Sequence, residues 1–222
     1  MTPISFVFDL DGTLVDTAPD LVAALNVALA LEDLEPLTTP ELRPLVGAGA
    51  RVMIERGLKT RDHTVTPERF EELAAAFFAH YEIHIADESG LYPDVPEILE
   101  QLAAEGHTLA VCTNKPEKLS HLLLDALGLK SRFAAICGAD TFPVRKPDPL
   151  HLTGTIERSG GDIARAIMVG DTRADREVAR NAGVPCVLLD YGYADVPIKE
   201  LEPEAMLSHF RDVPGTARKL VP

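Results

Sequence analysis

No apolar run in this 222-residue chain approaches the roughly 20 residues needed to cross a bilayer. Basic residues are also in deficit: 21 Lys and Arg face 35 Asp and Glu, for a formal net charge of −14. Nucleic-acid binding needs a basic footprint, so that class of partner is excluded. No basic segment precedes an apolar core at the N-terminus, and Met1 to Phe8 therefore reads as a strand rather than a signal peptide. Cysteine is sparse: Cys112, Cys137 and Cys186 each sit in an apolar run, without Cys-x-x-Cys spacing. They read as buried core thiols rather than ligands or bridges, and the chain as a cytoplasmic protein, monomeric or homodimeric. Internal repeats and low-complexity segments are missing too. An apolar content of 46% and a near-neutral mean hydropathy leave a globular chain, long enough for one large domain or one domain with a small insert. The acidic excess repels anions, but salt confines that repulsion to about 8 Å, so an anion site must carry its own local cations.

Against this background one stretch stands out, Ile4-Ser5-Phe6-Val7-Phe8-Asp9-Leu10-Asp11-Gly12-Thr13. Its apolar run is too short for a helix and apolar on both faces, as a buried parallel strand is. Asp9 and Asp11 stand two apart, so extended geometry points both carboxylates the same way, out of the carboxyl edge where open α/β sheets place ligands. Two such carboxylates stay ionised only beside a cation or a shared proton, and carboxylate oxygens suit Mg²⁺. Gly12 permits a tight turn that exposes backbone N–H groups to an anion. An Asp-Gly turn also occurs in hairpins, but a hairpin needs a second strand at once, and here a helix follows.

From Asp16 to about Ala86 the pattern is helical throughout. A first helix runs to Leu31, with Thr17 or Asp20 as its cap and Pro19 in its first turn. A short helix passes through Leu42 and Val46, Gly47-Ala48-Gly49 interrupts, and Ala50 to Leu58 is helical again. Thr66-Pro67 opens a long helix to about Ile85. After Leu91, strands (108–113, 134–137, 166–169, 185–189) alternate with helices (95–105, 117–127, 149–159, 175–182), and Gly106, Gly128 and Gly183 stop helices. Residues 205–207 read as an edge strand and 213–220 as a last helix. The alternation is that of a parallel α/β sheet, with core segments 1–15 and 87–222 and an all-helical insert, 16–86, placed to act as a lid.

Three further strand ends repeat the theme. Thr113-Asn114-Lys115 presents a hydroxyl, an amide and a base ahead of a helix, the kind of terminus that binds phosphate and is also ordinary capping. Lys146 lies in Arg145-Lys146-Pro147-Asp148-Pro149, where two prolines restrict the loop; a lysine so held can neutralise charge in a phosphoryl-transfer transition state. Gly170-Asp171-Thr172-Arg173-Ala174-Asp175 follows a buried strand, and its two acids, four apart, can face one site. His80 and His84 are four apart on a helix, a spacing that suits a transition metal, but no third ligand accompanies them and they read as a surface or core-edge pair.

Together, Asp9-x-Asp11-Gly12-Thr13, Thr113-Asn114, Lys146-Pro147 and Gly170-Asp171-x-x-x-Asp175 resemble the four-motif series of the haloacid dehalogenase superfamily of phosphohydrolases, over nearly the whole chain. The resemblance implies a Rossmann-like core with a cap inserted after the first strand. It implies Asp9 as nucleophile, Asp11 as general acid and base, and Thr113 and Lys146 as catalytic partners. Mg²⁺ would be held by Asp9, the Asp11 carbonyl, Asp171 and Asp175, and phosphoryl oxygens by Thr113 and the backbone at Gly12 and Asn114. Asp11 distinguishes phosphatases and phosphomutases from dehalogenases, whose halide leaves without a proton. Leu45-Val-Gly-Ala-Gly-Ala-Arg51, with Tyr191-Gly192-Tyr193, resembles the phosphoglycolate phosphatase branch; there Gly47 and Gly49 would approach a small substrate, and Arg51, or alternatively Arg43, would meet its carboxylate. The expected substrate is a small phosphorylated metabolite, 2-phosphoglycolate first. Pyrophosphate, a sugar phosphate, N-acetylmuramate 6-phosphate, a phosphomutase reaction and an idle binding module are the alternatives.

Overall fold

The computed structural model describes residues 2–47 and 49–222; Met1, and Ala48 of the Gly47-Ala48-Gly49 run, lie outside the described residues. At its centre is β1 (Ser5–Phe8), buried at all four positions. It lies between β4 (Thr108–Cys112) and β6 (Ala166–Gly170), parallel to both, and β5 (Ala135–Cys137), β7 (Cys186–Leu189) and β8 (Ala205–Leu207) complete the order β5-β4-β1-β6-β7-β8. Every pairing in this six-strand sheet is parallel. Side chains alternate between its faces. Phe6, Phe8, Val111 and Val169 pack with α5 (Val95–Ala104), α6 (Glu117–Ala126) and α9 (Val213–Leu220), whereas Val7 and Met168 pack with α7 (Pro149–Arg158) and α8 (Arg173–Ala182). The strands are apolar on both faces because both faces are covered.

Between the first strand and this core lie α1 (Ala18–Ala30), α2 (Thr39–Leu42), α3 (Ala50–Lys59) and α4 (Pro67–Ile83). Their apolar stripes, Leu21, Leu25 and Leu29 with Met53, Leu58, Leu73, Phe77 and Tyr81, join the Phe6–Phe8 side of the core in one cluster. Two features depart from the sequence expectation. Residues 43–45 form a 3₁₀ turn where a helix through Val46 was expected. The helical stretch is also flanked by a two-residue antiparallel ribbon, β2 (Val15–Asp16) against β3 (Gly90–Leu91). Asp20 does not cap α1. Thr17 is the N-cap residue, and the buried Asp20 carboxylate instead accepts from Glu88 N (3.1 Å), Ser89 N (2.8 Å) and Ser89 Oγ (2.5 Å). The two chain crossings are thereby clamped side by side.

Register then delivers the chemistry to one edge. Phe8 aligns with Val111 and with Val169, so the residues that follow, Asp9, the Cys112–Thr113 end and the Gly170–Asp171 end, emerge at one level. Asp9 N donates to Val169 O at 2.9 Å, extending the ladder one step past the strand.

Candidate active site

Asp9, Asp171 and Asp175 are each buried, with one carboxylate oxygen apiece inside a 4.8 Å group. Among the described residues this is the one His/Cys/Asp/Glu group able to hold a metal ion. A single ammonium answers them: Lys146 Nζ lies 2.9 Å from Asp9 Oδ2 and 2.7 Å from Asp175 Oδ1. Three carboxylates against one lysine leave two negative charges uncompensated in a dry site, which is the deficit a divalent cation cancels. The titration of the acids reflects that deficit. Burial, with the Asp175 charge adding to it, pushes Asp9 up to about 7. Burial, then Asp175 and Asp9, pushes Asp171 well above the carboxylate range. Burial works against the charge on Lys146, but Asp175 and Asp9 outweigh it and raise its pKa.

Local structure holds each group. Asp175 is the third residue of α8, and its Oδ2 accepts from Thr172 N (2.9 Å), Thr172 Oγ1 (2.7 Å) and Asp171 N (3.2 Å), so one carboxylate both caps the helix and pairs with Lys146. Asp171 accepts from Thr13 Oγ1 at 2.6 Å and from Tyr193 N at 2.7 Å. Gly12, at φ +84°, and Gly192 press against this carboxylate so closely that a Cβ on either would collide with it. His151 Nδ1 accepts from Lys146 N at 3.1 Å and its Nε2 faces Gly138 O at 3.0 Å, fixing the lysine's loop.

Asp11 behaves differently from the expectation that both carboxylates of the first motif share one direction. The chain leaves extended geometry after Asp9 and tightens into a turn, with Leu14 N and Val15 N both donating to Leu10 O. Asp11 still lines the same cavity as Asp9, but its carboxylate lies outside the metal-capable group. Lys115 Nζ meets it, 3.0 Å from Oδ1 and 3.2 Å from Oδ2, and also donates to Tyr81 Oη at 2.7 Å. Burial, then Asp11 and Asp20, keeps Tyr81 protonated, well above its ordinary pKa of 10.0. Sequence reasoning placed Lys115 only as a base at a strand end, and Tyr81 only within the long helix that Thr66-Pro67 opens. The Asp11–Lys115–Tyr81 bridge between core and helical insert was not visible there.

Thr113, Asn114, Gly47 and Gly49 line this cavity, whose free volume is ≈ 30 Å³. Thr113 Oγ1 accepts from Lys115 N at 3.2 Å. Asn114 Nδ2 donates to Gly47 O and to Lys146 O, both at 3.3 Å, tying the insert's loop to the lysine loop. Gly47, at φ +100°, touches Thr172: a Cβ there would come to 2.9 Å of the threonine methyl. Arg51 is not brought to the cavity. It faces solvent, pairs with Glu71, and lies over the Phe70 ring at 5.0 Å from the centroid. Arg43 is likewise committed, to Asp16 Oδ2 at 2.6 Å and to the Tyr193 ring at 5.3 Å. His80 and His84 stack at 4.4 Å, and His84 pairs with Asp87 at 2.7 Å. A second, open cleft of ≈ 280 Å³ shares Val46, Gly47 and Asn114 with the first and carries Arg56, Arg145 and Arg173.

Tyr193, quoted in the sequence only as a branch signature, proves central to the architecture. Its buried hydroxyl accepts from Thr17 N (2.8 Å) and Ala18 N (3.0 Å) at the start of α1 and donates to Asp16 Oδ1 (2.7 Å), while its backbone holds Asp171.

The haloacid dehalogenase-like hydrolase family profile matches residues 6–189. A phosphoglycolate phosphatase of Agrobacterium fabrum is 48% identical over 222 residues, covering 100% of this chain and 95% of that protein. One from Caulobacter vibrioides is 47% identical over 207 residues, covering 93% of this chain and 87% of that protein. Among solved structures, one described as a predicted phosphoglycolate phosphatase from Haemophilus somnus superposes with a TM-score of 0.90 at 32% identity, covering 97% of this chain and 98% of that one.

Proposed function

The chain belongs to the haloacid dehalogenase-like hydrolases and is a phosphatase, and on that premise we propose that it is a Mg²⁺-dependent phosphomonoesterase working through an aspartyl-phosphate, with 2-phosphoglycolate as its preferred substrate. The observation that carries the mechanism is the Asp9–Lys146–Asp175–Asp171 cluster, two negative charges in excess, with Asp11 two residues from Asp9 on the same cavity. The names of relatives at 48% and 47% identity support the substrate.

In this reading an Asp9 oxygen attacks phosphorus, the bond to the leaving oxygen breaks, and Asp11 gives that oxygen its proton. Water then attacks phosphorus, Asp11 takes the water's proton, and the phosphorus–Asp9 bond breaks to release phosphate and restore the carboxylate. Lys146, held between Asp9 and Asp175, keeps its charge beside the reacting carboxylate. Thr113 and the backbone at Asn114 donate to the phosphoryl oxygens, while Gly12 N, expected among these donors, is committed to Val15 O at 2.9 Å. Asp9 and Asp171, with the Asp11 carbonyl, would hold Mg²⁺ and Asp175 would support them; the ion neutralises charge on the transferring phosphoryl group. The uncompensated acids and the oxygen-only donor set fit that ion.

Residues 16–86 act as the cap and 1–15 with 87–222 as the core. The cavity is lined by cap and core residues together, so substrate enters when the cap swings on the β2–β3 ribbon. Three buried free thiols suit a reducing compartment, and a cytoplasmic enzyme is the consistent assignment. No helix is long and apolar enough to cross a membrane.

Phosphate release with Mg²⁺ across 2-phosphoglycolate, pyrophosphate, hexose phosphates and N-acetylmuramate 6-phosphate tests the reading. A kcat/KM for 2-phosphoglycolate about 100-fold above the rest is expected. Asp9→Asn should fold and release no phosphate; turnover at the wild-type rate would end the nucleophile assignment.

A further inference from the structure

We propose that Lys115 is the specificity group of this site, its ammonium pairing with a second anionic group carried on the leaving-group side of the phosphate ester, with the Tyr81 hydroxyl as its partner. The inference rests on the reading of Asp9 and Asp11 as nucleophile and proton donor, and it goes on to say where the rest of the substrate is read.

Charge comes first. The charged side chains lining the cavity, among the described residues, are Asp9, Asp11 and Lys115, so Lys115 is its single cation. Elsewhere the lining is largely apolar, with Leu21, Met53 and Phe77 among its members. A substrate whose leaving group carries a carboxylate must place that charge in this lining or expel it. In an apolar wall an unpaired carboxylate is costly, and one lysine is the counter-charge on offer. The guanidinium candidates do not line the cavity: Arg51 pairs with Glu71 and Arg43 with Asp16.

Geometry agrees. A proton donor must touch the leaving oxygen, so Asp11 marks where that oxygen sits. Lys115 Nζ is one hydrogen bond from both Asp11 oxygens, at 3.0 and 3.2 Å. In 2-phosphoglycolate a single methylene separates the ester oxygen from the carboxylate carbon, a span that brings the carboxylate next to Lys115. Tyr81 Oη accepts from Lys115 at 2.7 Å and so keeps its own proton for an anion arriving beside the ammonium. Because Tyr81 belongs to α4 and Lys115 to the core, the anion is read by cap and core together, and only when they are closed.

The test compares 2-phosphoglycolate with isobutyl phosphate, which has the same heavy-atom skeleton but two methyl groups in place of the carboxylate oxygens. Lys115→Met also strips Asp11 of its partner, so the ratio of the two kcat/KM values is the readout, not either value alone. The expected result is a ratio that falls about 100-fold in Lys115→Met, mostly through KM, and less than tenfold in Lys115→Arg. Tyr81→Phe should lower it in the same direction, and that variant with Lys115→Arg decides the question if Lys115→Met does not fold. Arg145→Met, in the open cleft, should leave the ratio in place. Equal losses on both esters in Lys115→Met, or a ratio that collapses in Arg145→Met, would overturn the proposal. A wild type that prefers a different anionic ester, with that preference lost in Lys115→Met, removes 2-phosphoglycolate and retains Lys115. A wild type that hydrolyses isobutyl phosphate as well as any anionic ester removes Lys115 and retains the phosphatase.

Discussion

Removing one oxygen atom, by Tyr193→Phe, separates the architecture of this site from its chemistry. The hydroxyl accepts from Thr17 N at 2.8 Å and Ala18 N at 3.0 Å, and both residues are fully buried, so neither N–H finds solvent when the oxygen is gone. An unmet buried donor costs about 1–3 kcal/mol. Asp16, which loses a 2.7 Å bond as well, is partly exposed and keeps Arg43, so its share is small. The sum is about 2–6 kcal/mol, or a fall in Tm of roughly 4–24 °C for a chain of this size. Turnover should respond differently. Asp171 is held by the Tyr193 backbone N–H, which phenylalanine retains, so kcat should stay within about tenfold at a temperature where the variant is folded. Urea melts followed by circular dichroism, with steady-state phosphate release on the same preparation, measure both. A loss below about 0.5 kcal/mol would show that water replaces the hydroxyl and that the buried-donor reasoning is wrong. A kcat loss beyond about 100-fold would show that the side chain itself acts in the reaction.

Mg²⁺ should raise the wild-type melting temperature, by about 2.7 kcal/mol of stability at 100 times its Kd, and Asp171→Asn should lose most of that gain; equal gains would remove Asp171 from the ion's ligands. Gly192→Ala drives a methyl into the Asp171 carboxylate, so Mg²⁺ affinity and kcat should fall together, kcat by about 100-fold; a near-normal enzyme would show that the loop yields. Burial, with the Lys146 charge, lowers the pKa of His151 to about 4 from 6.5. Above pH 6.5 the imidazole is neutral in both states and costs nothing. As pH falls from 6.5 to 4 the unfolded chain takes a proton that the folded one refuses, removing up to about 3 kcal/mol. The urea midpoint of His151→Asn should therefore change less between pH 7 and pH 4.5 than that of the wild type, and parallel curves would refute this.

What the sequence determined by itself is what short-range geometry controls. An apolar run bounded by Asp9 can bury both faces only inside a parallel sheet, and the regular return of strand, helix and stop glycine leaves one way of winding it. Asp9, Asp171 and Asp175 were each legible because each directly ends a strand or opens a helix, and Lys146 because two prolines restrict its loop, so the topology carries them to one edge. The tertiary structure decided which charge answers which. Arg51 has a nearer acid in Glu71 and Arg43 in Asp16, whereas the long Lys115 side chain reaches across to Asp11 and Tyr81, residues that neither period nor spacing connects to it. The β2–β3 ribbon escaped for a related reason: two residues a side give no periodic signal, and the ribbon exists because the Asp20 clamp holds its strands together. Ion pairs and hydrogen bonds form by distance in space, and distance in space is known only after the chain has folded.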